Sequence, residues 1–259
     1  MEVESWGQVT AGGAVKQETI ALKRPDGSAM RAEFFLPDSV ARPAPAVVII
    51  FDVFGMTADL NRIAKRFAEN GYAAIIPNLY DHPGLKFLCV VSAVRSAMRG
   101  SGREFEDIEL ARGYLAGRAE VDAQRIAITG FCLGGGFAIL LAARGGYNVS
   151  APFYGEVPRE IEALRGSCPM IASYGERDAP RLVEAGKRLE KFLTTLEIPH
   201  DVKFYAQAGH SFMNRNTGFL AERVSPRLPM HAKYDHESSE DSWRRIFAFF
   251  EQHLNGAGR

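Results

Sequence analysis

The chain has 259 residues, of which 46% are hydrophobic and 24% charged, the composition of an ordinary globular protein able to bury a core. Its 31 basic and 31 acidic residues balance, so we expect binding to neither nucleic acid nor membranes, although a local basic pocket for an acidic substrate stays possible. No segment has the apolar length of a signal peptide or a membrane span. Three widely spaced cysteines predict neither a disulfide framework nor a paired metal site, and we expect a cytoplasmic location.

The predicted elements begin with a hairpin and continue as alternating strands and helices. Two strands, 15–24 and 28–36, flank the turn signal Pro25-Asp26-Gly27. Later strands are short β-branched apolar runs, whereas the helices carry apolar residues at a spacing of three and four. After the hairpin we predict strands at 46–51, 72–76, 125–129, 149–153, 170–174 and 201–205, and helices at 59–70, 105–118, 133–143, 180–196 and 240–254.

This alternation predicts one α/β domain over residues 1–259, with a mostly parallel, doubly wound sheet that is covered by helices on both faces. In such sheets ligands bind at the carboxyl ends of the strands. Two segments, 79–104 and 211–237, fit no regular element. Loops of that length in a compact domain are usually functional or mobile.

The most informative motif is Gly130-Phe131-Cys132-Leu133-Gly134, where a buried strand runs directly into an apolar helix. A nucleophile on such a sharp turn needs glycines on both sides, so that strand and helix approach without Cβ clashes. The thiol would lie at a helix N-terminus, whose partial positive charge favours thiolate. The N–H of Leu133 would point into an oxyanion hole. The alternative interpretation is an inert, buried cysteine beside a glycine-rich turn.

An acid and a histidine follow in the chain order that such a nucleophile requires. Asp178 comes shortly after the strand at 170–174, and His210 comes after the strand at 201–205. We expect Asp178 to orient His210, which would take the thiol proton and later protonate the leaving group. Asp178 alone would be read as a helix N-cap, and Glu176 is the rival acid.

These residues resemble the dienelactone hydrolase (carboxymethylenebutenolidase) family, which belongs to the α/β-hydrolases. The resemblance covers roughly 30–212 and is carried by five segments, namely 52–55, 72–80, 130–135, 175–178 and 208–212. It implies an α/β-hydrolase fold and acyl transfer to Cys132 with opening of a lactone or enol ester. It implies no metal and no organic cofactor.

The resemblance also implies roles for residues outside the triad. Val53 matches the position that donates the second oxyanion-hole N–H. Asp52 stands where the family has a glutamate that handles the thiol proton, and its side chain is one methylene shorter. The family's substrate-carboxylate arginine lies a few residues after the histidine, where this chain has Asn214 and then Arg215. A second family arginine has its candidates here among Arg95, Arg99 and Arg103.

The sequence therefore predicts a hydrolase that cleaves a small-molecule ester or lactone through a Cys132–His210–Asp178 triad. Phe54 and Tyr154 are candidates for lining the substrate pocket, although aromatic residues beside strands more often belong to the core. The alternative is a hydrolase-like fold that acts as a non-catalytic ligand-binding or thiol-redox protein. The natural substrate and the oligomeric state are not determined by the sequence.

Overall fold

A computed structural model describes residues 15–38, 43–82, 86–215 and 230–254. Within them, eight strands belong to a mostly parallel sheet with antiparallel N-terminal strands, which confirms the predicted fold class. The strands are β1 (Val15–Lys23), β2 (Ala29–Pro37), β3 (Ala44–Ile50), β4 (Ala73–Pro77), β5 (Val121–Phe131), β6 (Val149–Phe153), β7 (Met170–Gly175) and β8 (His200–Tyr205).

Six α-helices accompany these strands within the described ranges. They are α1 (Ala58–Glu69), α2 (Lys86–Arg99), α3 (Arg103–Ala116), α4 (Leu133–Ala142), α5 (Pro180–Thr195) and α6 (His236–Leu254), and a short 3₁₀ helix spans Ile161–Leu164. No helix of the described chain is both long and apolar enough to cross a lipid bilayer. The chain divides into two compact units, Met1–Ala127 and Ile128–Arg259. The single domain over 1–259 stays a prediction.

The first unit contains the predicted hairpin and the first parallel strand pair. β1 and β2 pair antiparallel in a continuous register from Val15 opposite Pro37 to Lys23 opposite Ala29. Gly27 occupies the turn with φ +87°, a left-handed conformation that glycine adopts without a Cβ penalty. β4 lies between β2 and β3, antiparallel to the former and parallel to the latter. All five residues of β4 are buried, as its β-branched apolar sequence predicts.

Helix α2 corrects the prediction for 79–104, which the sequence analysis left without a regular element. Its inward-facing residues are the small side chains of Cys89, Ala93 and Ser96, which are buried, whereas Phe87 and Met98 are exposed. The large apolar residues of this segment have a helical spacing that the sequence analysis overlooked, and that spacing does not show that the small residues, and not the large ones, face inward. Of the other segment predicted to be irregular, 211–237, residues 216–229 lie outside the described structure.

The second unit holds a parallel set of three strands, with β7 between β6 and β8. Every residue of β6 and β7 is buried, so these strands form the core of the unit. Helix α6 begins at His236, four residues before its predicted start, because Asp235 accepts the backbone N–H of Ser238 at 2.9 Å and caps the first turn. The remaining helices and strands agree with the predictions to within a few residues at each end.

Candidate active site

Cys132 lies on a sharp turn between β5 and α4. Its backbone has φ 55° and ψ −113°, which a residue with a side chain rarely adopts, at a typical cost of about 1–3 kcal/mol. The Cys132 N–H donates to the carbonyl of Phe153 at 3.1 Å and fixes the turn against the end of β6. Such strain persists only where the surrounding structure enforces it, and it commonly marks a functional position.

The glycines around Cys132 are required by close backbone approaches. A Cβ on Gly130 would lie 2.1 Å from the carbonyl oxygen of Gly134, so β5 and α4 could not meet at this angle with any other residue. A Cβ on Gly135 would lie 2.5 Å from the carbonyl oxygen of Phe153. The glycine pattern that the sequence offered is thus explained by sterics at both positions.

Helix α4 begins directly after Cys132, with Leu133 as its first residue. The N–H of a first helical residue has no acceptor within its own helix and points outward from the N-terminus. The N-terminal end of the helix also carries partial positive charge, which favours an anion nearby. The position of Leu133 is therefore suited to donate to an oxyanion that forms on a substrate bound to Cys132.

Asp178 follows β7 and is 4% exposed. Its Oδ2 accepts a hydrogen bond from Nδ1 of His210 at 2.7 Å, and its Oδ1 accepts the N–H of Ala179 at 2.6 Å. Glu176, the rival acid, is exposed to solvent. The structure thus brings Asp178 to His210 and leaves Glu176 at the surface.

The loop after β7 and the loop after β8 are held together by their backbones. The N–H of Glu176 donates to Tyr205 and the N–H of Arg177 donates to Ala208, both at 3.0 Å. A Cβ on Gly175 would lie 2.4 Å from the Ala208 carbonyl oxygen, so glycine is needed for this approach. These backbone contacts fix the distance between the loop that carries Asp178 and the loop that carries His210.

His210 is 4% exposed, and its backbone is anchored on both sides. Its N–H donates to the carbonyl of Met230 at 2.8 Å, and its carbonyl accepts the N–H of Lys233 at 3.1 Å. Its Nδ1 is engaged by Asp178, whereas its Nε2 is buried and has no hydrogen-bond partner. The imidazole is thus oriented through one nitrogen, and the other remains available for proton transfer.

The charges around His210 favour the imidazolium form. Burial lowers the pKa of His210, but the hydrogen bond with Asp178, the interaction with the neighbouring Cys132 and the charge of Asp178 outweigh burial and raise the pKa to about 10. Nε2 has no hydrogen-bond partner among the described residues, so its contact with Cys132 is not a well-formed hydrogen bond. Loose contacts of this kind are common in resting enzymes and tighten when substrate binds.

Tyr154 is a neighbour of His210 whose contact the sequence did not reveal. Its ring centroid lies 4.9 Å from that of His210, and the side chain is 1% exposed. The phenol donates a short hydrogen bond to Oδ1 of Asn214, which is also buried. Tyr154 has φ 39°, so a strained backbone directs this ring onto the imidazole. It was singled out as a candidate for lining the pocket, and the structure places it against the face of the histidine.

The sequence predicted site roles for four further residues, namely Asp52, Val53, Phe54 and Arg215. Asp52, 5% exposed, accepts the N–H of Phe54 at 2.9 Å in the loop after β3, a loop that also contains Val53. Phe54 is 52% exposed. Arg215 is exposed, with its guanidinium 4.7 Å from the ring centroid of Tyr234 and its NH2 donating to that phenol at 3.0 Å. The roles assigned to these residues stay predictions.

A polar cavity of about 560 Å³ lies in the second unit beside β8 and the start of α6. Its lining includes Lys203 and Asp241, which pair at 2.6 Å, and none of Cys132, Asp178 and His210. Acidic residues outnumber Lys203 and Arg244 along this cavity, and no cysteine is among the described residues that line it. We therefore place the candidate site at the Cys132 elbow and not in this cavity.

A strained cysteine between strand and helix, followed by an acid after a later strand and a histidine after the next, is the arrangement of an α/β-hydrolase. A model of the dienelactone hydrolase family matches residues 30–254. The chain belongs to the dienelactone hydrolase family. It is therefore a hydrolase of the carboxylic ester and lactone class, as the sequence predicted.

Individual relatives agree with this assignment. The chain is 29% identical to a carboxymethylenebutenolidase of Rhodococcus opacus over 221 residues, which is 80% of this chain and 81% of that protein. It is 26% identical over 241 residues to a putative carboxymethylenebutenolidase of Yersinia pestis, covering 88% of this chain and 85% of the other.

Solved structures show the same fold. A putative dienelactone hydrolase from Klebsiella pneumoniae superposes with a TM-score of 0.74 at 24% identity, over 93% of this chain and 100% of that one. A dienelactone hydrolase-like promiscuous phosphotriesterase from metagenomic libraries superposes with a TM-score of 0.77 at 22% identity and the same coverage of each chain.

Proposed function

We propose that the protein hydrolyses a small carboxylic ester or lactone through a thioester formed on Cys132. The observation that carries this proposal is the buried Asp178–His210 pair, in which the hydrogen bond with Asp178 and the interaction with Cys132 raise the pKa of the histidine despite burial. A cysteine that served only for packing would not need a strained backbone or a charged histidine beside it.

In the first half-reaction the thiolate of Cys132 attacks the acyl carbon, and the carbonyl π electrons move onto oxygen. The backbone N–H of Leu133 stabilises that oxyanion, and the N–H of Val53 is proposed as the second donor by family resemblance. When the tetrahedral intermediate collapses, the bond to the leaving oxygen breaks, and His210 gives its Nε2 proton to that oxygen. For a lactone the leaving oxygen stays attached to the acyl chain.

In the second half-reaction water attacks the thioester carbon. The neutral imidazole of His210 accepts a proton from this water, the C–S bond breaks, and the thiolate of Cys132 is restored beside the imidazolium. Asp178 holds the Nδ1 proton throughout and stabilises each imidazolium that forms. Neither half-reaction requires a cofactor.

The first experiment compares Cys132→Ala with Cys168→Ala in the hydrolysis of p-nitrophenyl acetate. Both positions are free thiols that are partly buried, so the pair separates loss of the nucleophile from loss of a cysteine. We expect Cys132→Ala to lose kcat/KM by about 10⁴-fold or more and Cys168→Ala to stay near wild type. More than a few per cent of wild-type activity in Cys132→Ala would reject the mechanism. A wild-type protein without turnover, whose Cys132 oxidises readily, would favour the thiol-redox alternative.

We further propose that the substrate carries an anionic group bound by an arginine, with Arg215 the first candidate and Arg95, Arg99 and Arg103 the others. Tyr234 supports Arg215 through a stacked ring and a hydrogen bond, which gives the guanidinium a defined position. A charge-assisted pair is worth about 1.5–3 kcal/mol, so Arg215→Ala should raise KM for a carboxylated aryl ester by tenfold or more. Equal turnover of neutral and carboxylated esters by all four arginine variants would refute the proposal.

Asp52 is proposed, from the family resemblance, as an acid that raises the proton affinity of the resting thiol. A nearby carboxylate disfavours thiolate by charge repulsion. Asp52→Asn should then move the pH dependence of iodoacetamide alkylation of Cys132 to lower pH. An unchanged alkylation profile with reduced kcat would leave Asp52 as the support of its loop, consistent with its hydrogen bond to the Phe54 N–H.

A further inference from the structure

Helix α2 is oriented with its small side chains inward and its large apolar side chains outward. Cys89, Ala93 and Ser96 are 3%, 1% and 6% exposed, whereas Phe87 and Met98 are 71% and 83% exposed. The hydrophobic effect favours the opposite arrangement, since an exposed phenylalanine or methionine forgoes the free energy of burial. An orientation that leaves the larger residues in water is expected where they contact something else.

The outward residues form one continuous stripe. Phe87, Val91, Val94 and Met98 are separated by four, three and four positions, so they follow one face of the helix. Val94 is 37% exposed and Leu88, beside the stripe, is 58% exposed. These five residues, which we call the α2 stripe, make a convex ridge and not a groove.

The helix cannot readily turn this stripe inward because its inner face is fixed. The Ser96 hydroxyl donates to the carboxylate of Glu104, which is fully buried at the start of α3. Rotating α2 would break this contact and leave a buried carboxylate short of a donor, which is costly. The outward stripe is therefore a stable feature of the fold and not a loosely placed segment.

The charged residues of α2 itself are all of one sign. Arg95 and Arg99 are exposed, and no acidic residue occurs in Lys86–Arg99. Neither arginine forms an ion pair within the part of the chain that the structure describes. The stripe thus combines exposed Phe, Leu, Val and Met side chains with uncompensated guanidinium groups, although the chain as a whole has no net charge.

We propose that the α2 stripe docks onto the surface of membranes that contain anionic phospholipids. An interfacial helix buries apolar side chains at the boundary of headgroups and acyl chains while its basic residues contact anionic headgroups. The 14 residues of α2 extend about 21 Å, which is too short to span a bilayer but sufficient to lie in its surface. The proposal is independent of the catalytic mechanism, and it differs from the expectation of no membrane binding that the balanced total charge gave.

A second copy of the chain fits this surface less well. In a two-fold symmetric contact the same patch faces itself, so Arg95 and Arg99 would meet the same helix of the other copy, which has no acidic residue to pair with them. An anionic lipid surface supplies the opposite charge and accepts a convex apolar ridge without needing a shaped pocket.

The test is sedimentation of the full chain with vesicles of phosphatidylcholine alone or with about one-third phosphatidylserine. The variants are Phe87→Ser/Met98→Ser, which removes the ends of the stripe, and Arg95→Gln/Arg99→Gln, which removes the charges. Arg159→Gln/Arg165→Gln is the matched control, since both of these arginines are also exposed. Far-UV circular dichroism and thermal melting verify that each variant is folded.

We expect the wild-type chain and the control to bind the anionic vesicles, and binding to weaken as salt rises. Each arginine near an anionic surface contributes about fivefold, so Arg95→Gln/Arg99→Gln should bind about twentyfold more weakly. Phe87→Ser/Met98→Ser should abolish sedimentation. The proposal is overturned if the wild type does not bind, if the control loses binding equally, or if the stripe variant still binds. It is also overturned if the wild type is a dimer in solution that Phe87→Ser/Met98→Ser converts to a monomer without any lipid binding.

Discussion

Helices α2 and α4 are both rich in apolar residues, yet they use them in opposite ways. In α4 the side chains of Phe137, Ile139 and Leu141 are all 0% exposed. In α2 the largest side chains, Phe87 and Met98, lie in solvent. α4 is therefore completed by contacts within the protein, whereas α2 has an outer face that the described chain leaves uncovered.

The difference teaches that apolar composition alone does not reveal which side of a helix faces the core. The size of the residue at each inner position determines which side of the helix packs against the core. The small residues of α4 are glycines, which allow another backbone segment to approach the helix. Gly135, for example, lies against the carbonyl of Phe153. The small residues on the inner face of α2 are Cys89, Ala93 and Ser96. They let the helix backbone approach the rest of the protein closely, while its large apolar side chains lie in solvent. Substitutions near α4 should therefore affect chemistry and stability, whereas substitutions of the exposed Phe87 and Met98 of α2 should change stability little.

The largest effect is expected at Asp178, the acid that orients His210 for the cysteine at the start of α4. Asp178→Asn should lower kcat/KM by about 10³–10⁴-fold, because an amide in this position favours the wrong tautomer of His210. Steady-state hydrolysis of an aryl ester measures it. The matched variant Glu176→Gln, at an exposed position of the same loop, should change kcat/KM by less than about twofold. A reversal of these two results would move the role of the acid to Glu176.

The next effect concerns the pH dependence of stability. Because the folded-state pKa of His210 is raised above 6.5 to about 10, its stabilising contribution is fully present below pH 6.5 and is lost as pH rises through about 10. Urea unfolding from pH 6.5 to 10 should show wild type losing about 2–4 kcal/mol relative to His210→Asn. Parallel curves for the two proteins would mean that no imidazolium is stabilised in the folded state.

The close packing of α4 can be tested with two adjacent glycines. A Cβ on Gly135 meets the Phe153 carbonyl at 2.5 Å, whereas on Gly136 it meets the Glu156 carbonyl at an ordinary 3.5 Å. Gly135→Ala should destabilise the protein by about 1–3 kcal/mol through overpacking. Gly136→Ala should be neutral or stabilising by up to about 1 kcal/mol, since alanine favours the helix. Equal free energies of unfolding for the two variants would contradict this account of α4.

Tyr154 provides a smaller test of the same region. Its ring lies against His210, so Tyr154→Leu should lower kcat about tenfold and alter the pH profile, with KM nearly unchanged. Tyr154→Phe keeps the ring and should restore most of kcat, which distinguishes positioning of the imidazole from the hydrogen bond to Asn214. If both variants lose kcat equally, the Asn214 bond and not the ring is responsible.

The smallest effect is expected on the outer face of α2. Phe87→Ser and Met98→Ser replace exposed side chains, so the free energy of unfolding should change by no more than about 0.5 kcal/mol. Thermal or urea unfolding checks this. A loss above about 2 kcal/mol would show that the side chains are covered in the folded chain, and the contrast with α4 would fail.

Much of the fold was predictable because β5, Cys132 and α4 follow one another in sequence and the glycines around them leave a local signature. The pairing of Asp178 with His210 followed from chain order, but the choice between Asp178 and Glu176 rests on the burial of Asp178 and its hydrogen bond with His210. The contact of Tyr154 with Asn214 joins residues 60 positions apart and has no local pattern. Helix α2 does have a local helical spacing of apolar residues, which the sequence analysis overlooked, but nothing in that spacing shows that these residues face outward.

The central claim is that Cys132 carries the acyl group, and trapping that group tests it most directly. The protein is mixed with an aryl ester whose bulky acyl chain slows hydrolysis of the thioester, quenched in acid, and analysed by intact mass and peptide mapping. We predict one acyl group per chain, on Cys132, that accumulates in Asp178→Asn more slowly than in wild type and is absent from Cys132→Ala. Turnover with the acyl group on Ser211 or any other residue, or undiminished turnover with Cys132 unmodified, would contradict the account.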